Sequence, residues 1–279
     1  MSANTTTAPE ARSRTRKRRF RLGGVAVAAG LLVAATACDA TVDGQTLTAI
    51  DAQEESWFSN GDEPYVAVIQ FRVIPGVPGS TQVHFVGNLQ EIAQNIDDGD
   101  SATIPDAMGL ATYPDVQYAN LQQILAGTSP EIIGAVTVAM ESDASPWSAI
   151  NGIMDDVAAE LDHQLRTQIE PLSFVDLVSG DGVATRLESA ANAIQAAAEP
   201  SFWNGVGIWF SSFGDPDDVI GFKVLFTVAV DGPLQDTVDA QLADLPPSVV
   251  GGALRNESIP VVYAGDGATY RIDWNIGVT

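Results

Sequence analysis

A second cysteine is missing from this chain, and lysine and histidine are scarce. Cys38 is the only cysteine, so no internal disulfide can hold the fold, which must rest on packing or on a bound ion. Lysine occurs only at Lys17 and Lys223, and histidine only at His84 and His163. Against 36 acidic residues stand 13 basic ones, a net charge of −23. Because Arg12, Arg14, Arg16, Lys17, Arg18, Arg19 and Arg21 all precede the first apolar run, the chain beyond them is more acidic than that total suggests. A surface of this sign repels phosphate backbones, which argues against nucleic acid and favours divalent cations or basic cell-envelope partners. It also serves solubility alone, a reading of equal weight. Motifs of the common enzymes are absent too: there is no G-x-S-x-G, P-loop, H-E-x-x-H or G-x-G-x-x-G.

What is present begins with the order of the first residues. The basic cluster runs into an uncharged apolar stretch, residues 22–37, that ends in small side chains. This is the arrangement of a secretory leader, and the stretch is short of the about 20 residues a helix needs to cross a bilayer core. Its end, Ala35-Thr36-Ala37-Cys38, resembles the bacterial lipobox. The resemblance implies a diacylglycerol on the Cys38 sulfur, removal of the leader between Ala37 and Cys38, and anchoring to the outer face of the cell membrane. Ala35-Thr36-Ala37 also fits ordinary A-x-A cleavage, which would release a soluble product, and a short membrane helix is the other alternative. Arg18-Arg19 reads as a basic end. The expected organisation is a signal peptide at 1–37, a lipidated tether at 38–45 and a single β-rich domain at 46–279.

Periodicity supplies the elements of that domain. Thr46 to Ile50, Tyr65 to Val73, Gln82 to Val86 and Val136 to Met140 read as strands, with Pro75, Gly76, Pro78 and Gly79 turning the chain and residues 97–100 forming an acidic loop. Ile150, Ile153, Met154, Val157, Leu161, Leu165 and Ile169 recur at helical spacing, with Ser145 as N-cap, Pro146 at the first helical position and Pro171 beyond the end. A second helix is expected over Val183 to Ala198, giving a helical segment of about 145–199. Strands return at Gly207 to Ser211, Phe222 to Val230, Ile259 to Tyr263 and Thr269 to Ile276, with Pro246-Pro247 and Gly251-Gly252 as punctuation and a hairpin around Gly265-Asp266-Gly267. Strands flanking a helical block suggest an α+β fold, a β-sandwich-like core with two helices packed on it or inserted into it.

Two acidic segments couple carboxylates to strand starts: Asp51 with Glu54 and Glu55 ahead of Gly61-Asp62-Glu63-Pro64-Tyr65-Val66, and Gly214-Asp215-Pro216-Asp217-Asp218-Val219-Ile220-Gly221. They resemble the acidic loops of the C2 domain, a calcium-binding β-sandwich. That resemblance implies calcium as ligand and Asp51, Asp62, Asp215, Asp217 and Asp218 as its carboxylates. The chain departs from the family pattern in placing Glu63 between Asp62 and Pro64, and the block between the two loops would have to be an insertion. Asp-Pro and Gly-Asp pairs are also ordinary turn chemistry.

Catalysis is less favoured than a noncatalytic binding or structural role. His84 and His163 read as structural or solvated residues. A surface glycoside hydrolase using paired carboxylates is the alternative, with Trp57, Trp147, Trp203, Trp209 and Trp274 as possible sugar platforms, though large aromatics more often fill cores. A solute-binding lipoprotein is the third reading, disfavoured by the lack of alternating βα units.

Overall fold

The computed structural model describes residues 37–52, 62–142, 147–174, 219–243, 245–265 and 267–278. All belong to one compact unit, Ala35–Thr279. Among them, ten strands form two five-stranded sheets, so the fold is mostly β with some helices. Residues 1–36, the second expected helix and the expected strand at 207–211 lie outside the described residues.

The first sheet is organised on β1 (Ala37–Asp51), which pairs antiparallel with β10 (Ala268–Val278) along most of its length; β10 in turn pairs with β9 (Glu257–Gly265). The stretch 38–45, expected to be a tether, is thus the first half of a paired strand. The other edge of β1 is shared: β5 (Leu110–Gln117) pairs with its first half and β4 (Ser101–Thr103) with its second. The partner changes at a bulge between Gly44 and Thr46, where the short helix α1 (Asp106–Gly109) passes. A Cβ on Gly109 would lie 2.9 Å from the Gly44 carbonyl oxygen, so this crossing requires glycine.

The second sheet has the order β3 (Gln82–Phe85), β2 (Pro64–Val73), β6 (Ile132–Glu141), β7 (Val219–Val228), β8 (Val249–Ala253). All its pairings are antiparallel except β7 with β8, which is parallel and therefore needs a crossover. Helix α4 (Pro233–Leu242) makes it, with proline in its first turn and Val238 and Leu242 buried. Between β5 and β6 lies the short helix α2 (Leu121–Leu125).

Burial distinguishes the two sheets. Residues along β10 alternate between buried and more accessible, the mark of a sheet with one covered face. All ten residues of β6 are buried, so both faces of the second sheet are covered at its centre. On one side is α3 (Trp147–Gln164), which continues as a π-helical turn, Leu165–Ile169, and stops before Pro171. Ile150, Ile153, Met154, Val157, Leu161, Leu165 and Ile169 are all buried, as the spacing predicts, and Trp147 meets the Tyr65 ring edge-on at 5.0 Å. Ser145 and Pro146, the expected start of this helix, lie outside the described residues. On the other side, tyrosines of the first sheet reach β6: the Tyr113 hydroxyl donates to the Gly134 carbonyl at 2.5 Å, and the Tyr263 hydroxyl lies 2.6 Å from Thr137 Oγ1.

Bulk and glycine alternate across the second sheet in one row. Phe71 pairs with Gly134, Gly134 with Phe226, and Phe226 with Gly251. Each ring lies over the neighbouring glycine: a Cβ on Gly134 would stand 2.6 Å from Phe71 Cζ and 2.3 Å from the Leu225 carbonyl oxygen, and one on Gly251 would stand 2.3 Å from Phe226 Cζ. Gly251 and Gly252 thus belong to a strand, where the sequence suggested punctuation. The β9–β10 hairpin follows expectation, with Ala268 opposite Gly265 and Gly267 at φ 90°.

Gly134→Ala should cost about 3 kcal/mol, since backbone as well as a ring blocks the added methyl. Gly152→Ala, on the exposed side of α3 with open space around it, should instead gain about 0.5–1 kcal/mol. Urea denaturation of the two variants measures both signs.

Candidate functional site

Several strand termini converge at the end of the sheets where β1 finishes. Pro64 at the start of β2 pairs with Glu141, and Val219 at the start of β7 pairs with Met140. The starts of β2 and β7 therefore flank the end of β6, two strand spacings or about 10 Å apart. Asp51 closes β1 opposite Thr269 and is exposed. Asp62 is bridged to Ile96 just ahead of β2 and is 1% exposed. Asp215, Asp217 and Asp218 lie outside the described residues.

Asp62 points inward, and its Oδ2 accepts the Tyr270 hydroxyl at 2.5 Å. Burial, and then this bond to a carboxylate, raise the Tyr270 pKa, so the phenol stays a donor. Beside them Glu63 and Glu141 are hydrogen-bonded to each other through their side chains. Burial first, then the charges of Glu91 and Asp62, raise the Glu63 pKa above its ordinary value, while the bond to Glu141 works the other way. The site is therefore a partly buried cluster of acids at the strand ends. Of its members, Asp62 and Glu63 stood together in the first acidic segment of the sequence, while Tyr270 was visible only as part of the expected strand Thr269 to Ile276. Glu141 left one signal, as the acid that closes an apolar strand.

The cluster does not fit a glycosidase pair, because two acids in hydrogen-bond contact leave no room for the sugar that separations of about 5–9.5 Å accommodate. Nor do Asp51 and Asp62 by themselves form a calcium cage. Among the described residues, no group of three or more His, Cys, Asp or Glu side chains could hold a metal ion.

Other acids serve as structural ties. Glu131, 1% exposed, accepts from Arg72 Nε and, at 3.0 Å, from the Gln117 backbone N–H, while Arg72 Nη1 donates to the Pro114 carbonyl at 2.9 Å. Glu170 accepts from the Thr81 hydroxyl at 2.5 Å and from the backbone N–H groups of Gly79 at 2.6 Å and Thr81 at 3.1 Å, and these bonds, the hydroxyl first, hold its pKa low. His84 and His163 are exposed. Trp274 is fully buried and donates to the Tyr263 hydroxyl at 3.1 Å, and Trp147 is half-buried on Tyr65. Trp57, Trp203 and Trp209 lie outside the described residues.

At the opposite end, Cys38 pairs with Val116 and its half-buried thiol is hydrogen-bonded to the Tyr118 side chain. Burial chiefly, with help from the charges of Asp39 and Asp231, raises the thiol pKa. A thiol kept protonated is a poor nucleophile. Among the described residues no helix is long and apolar enough to cross a membrane.

The chain matches no protein-family model, no curated protein and no solved structure.

Glu63 gives the acidic cluster a pH signature. Its raised pKa stabilises the fold below the ordinary glutamate value of about 4.3, and that contribution is lost as pH rises through the folded value. The melting temperature followed from pH 4 to pH 7 should fall more steeply in the wild type than in Glu63→Gln, which keeps the hydrogen bond but does not titrate. Parallel curves would assign the fall to overall charge repulsion instead.

Proposed function

We propose that the protein is an exported lipoprotein, anchored to the outer face of the cell membrane through Cys38, whose β-rich domain is a noncatalytic binding or structural module. The observation that carries this reading is the place of the lipobox-like cysteine in the fold. Cys38, where the leader pattern in the sequence ends, pairs with Val116, and the pairing of β1 with β10 runs from Ala40 onward. A leader removed before Cys38 leaves all of these pairings in place.

A noncatalytic role is supported by the commitment of the buried acids. Asp62, Glu131 and Glu170 are engaged in hydrogen bonds that tie strands and turns, and the two histidines stand apart on the surface. As part of the same reading, the two sheets form a β-sandwich, supported by the contacts of Tyr113 and Tyr263 with β6.

Mass spectrometry of membrane fractions should find a diacylated Cys38 at the mature amino terminus, and Cys38→Ala should move the protein out of the membrane fraction. A wild type recovered wholly in the soluble fraction would overturn the proposal.

Calcium is the small partner the acidic segments suggest, and that part rests on the sequence, in which Asp215, Asp217 and Asp218 precede β7. If the domain binds the ion, its melting midpoint is higher in calcium than in chelator, by mass action on the native state. Equal midpoints remove calcium and leave the lipoprotein reading intact.

A further inference from the structure

The paired start of β1 restricts where a lipid anchor could hold this domain. Ala37 pairs with Gln117 and Cys38 with Val116 on β5, so no slack separates the anchor residue from the folded domain. The side chain of Tyr118 touches the Cys38 thiol, and Ala119 is bridged to Val230. Asn120 then caps α2 in a reciprocal capping box with Gln123. Ile124 is buried and fastens this short helix to the domain, whereas Leu121 is 50% and Leu125 72% exposed. Four residues apart, these two leucines share a face. They are among the most exposed large apolar side chains of the described residues. With about 3.5 Å of reach per residue, the Leu121 backbone lies within about 11 Å of that of Tyr118.

The charge pattern around them is unusual for this chain. Between Asp115 and Glu131, residues 116–130 include no charged side chain, in a protein of net charge −23. Asp39, Asp115 and Asp231 lie beside this segment, on the Cys38 side. An uncharged patch with two outward leucines and a half-buried tyrosine suits the boundary between headgroups and acyl chains, where tyrosine is favoured and apolar side chains gain by burial. The flanking aspartates suit a neutral headgroup layer better than an anionic one.

We infer that Tyr118, Leu121 and Leu125 form a membrane-seating surface, which beds the domain into a zwitterionic phospholipid surface next to the acylated Cys38. This rests on the lipoprotein reading and adds to it an orientation: β1 rises from the bilayer and carries the acidic loop end away from it. Ile50, twelve residues along the strand from Cys38, stands about 40 Å from the anchor at 3.3 Å per residue.

The test uses the full processed protein, with Cys38 acylation verified by mass, in phosphatidylcholine vesicles. Once Cys38 is acylated, Leu125→Cys supplies a single free thiol for a bimane label, and Leu121→Cys and Ile50→Cys give a second seating position and a distant control. Vesicles whose acyl chains carry bromine should quench the label at 125 and at 121 at least twofold and leave that at 50 unchanged. An acylated protein with no quenching at 125 and 121, or with equal quenching at 50, overturns the seating and leaves the lipoprotein reading standing. A Cys38 that is never acylated overturns both.

Discussion

The burial of β6 on both faces is the constraint on which the rest of the structure depends. A strand of ten buried residues cannot stand at the surface of a single sheet. It needs one layer against each face and a partner for every polar group it takes inside. Helix α3 covers part of the sheet with its aliphatic stripe, and tyrosines of the first sheet also reach β6. The polar groups are met by long side chains from the first sheet, so that Tyr113 reaches the Gly134 carbonyl and Tyr263 joins Thr137. The Phe71–Gly134–Phe226–Gly251 row provides close packing within the second sheet itself.

From that arrangement follow two chemically different ends. Around the termination of β6 the strand ends gather acids, and there the raised pKa of Glu63 follows first from taking a carboxylate out of water, beside the buried Asp62. At the start of β1 the described surface carries an uncharged segment with outward leucines beside Cys38. The long β1–β10 ladder separates the two ends.

Much of the strand and helix pattern was legible in the sequence, for reasons particular to each element. Tyr65 to Val73 and Val136 to Met140 are apolar and β-branched runs, and α3 repeats its aliphatics at helical spacing. What escaped was hidden by residues that usually signal turns. The first half of β1 contains Asp39, Asp43 and Gly44, β5 contains Pro114 and an Asp115 at positive φ, and β8 is centred on Gly251-Gly252. In each the local preference is overruled by partners distant in sequence. β10 holds the first, the bulged pairing with β1 at Cys38/Ala40 and the Asp115 N–H bond to Asp39 accommodate the second, and the Phe226 ring selects glycine in the third.

The sequence by itself determined the leader-like order of basic cluster, apolar run and small residues before Cys38, the lack of any disulfide, the acidic balance and the amphipathic stripe of α3, because each is a matter of composition or of spacing within one segment. Only the tertiary structure decided that residues 38–45 belong to a strand, that Asp62 faces Tyr270 across more than two hundred residues, and that Glu63 and Glu141 come together. Those outcomes depend on the register and stacking of strands far apart in the chain, which no local pattern encodes.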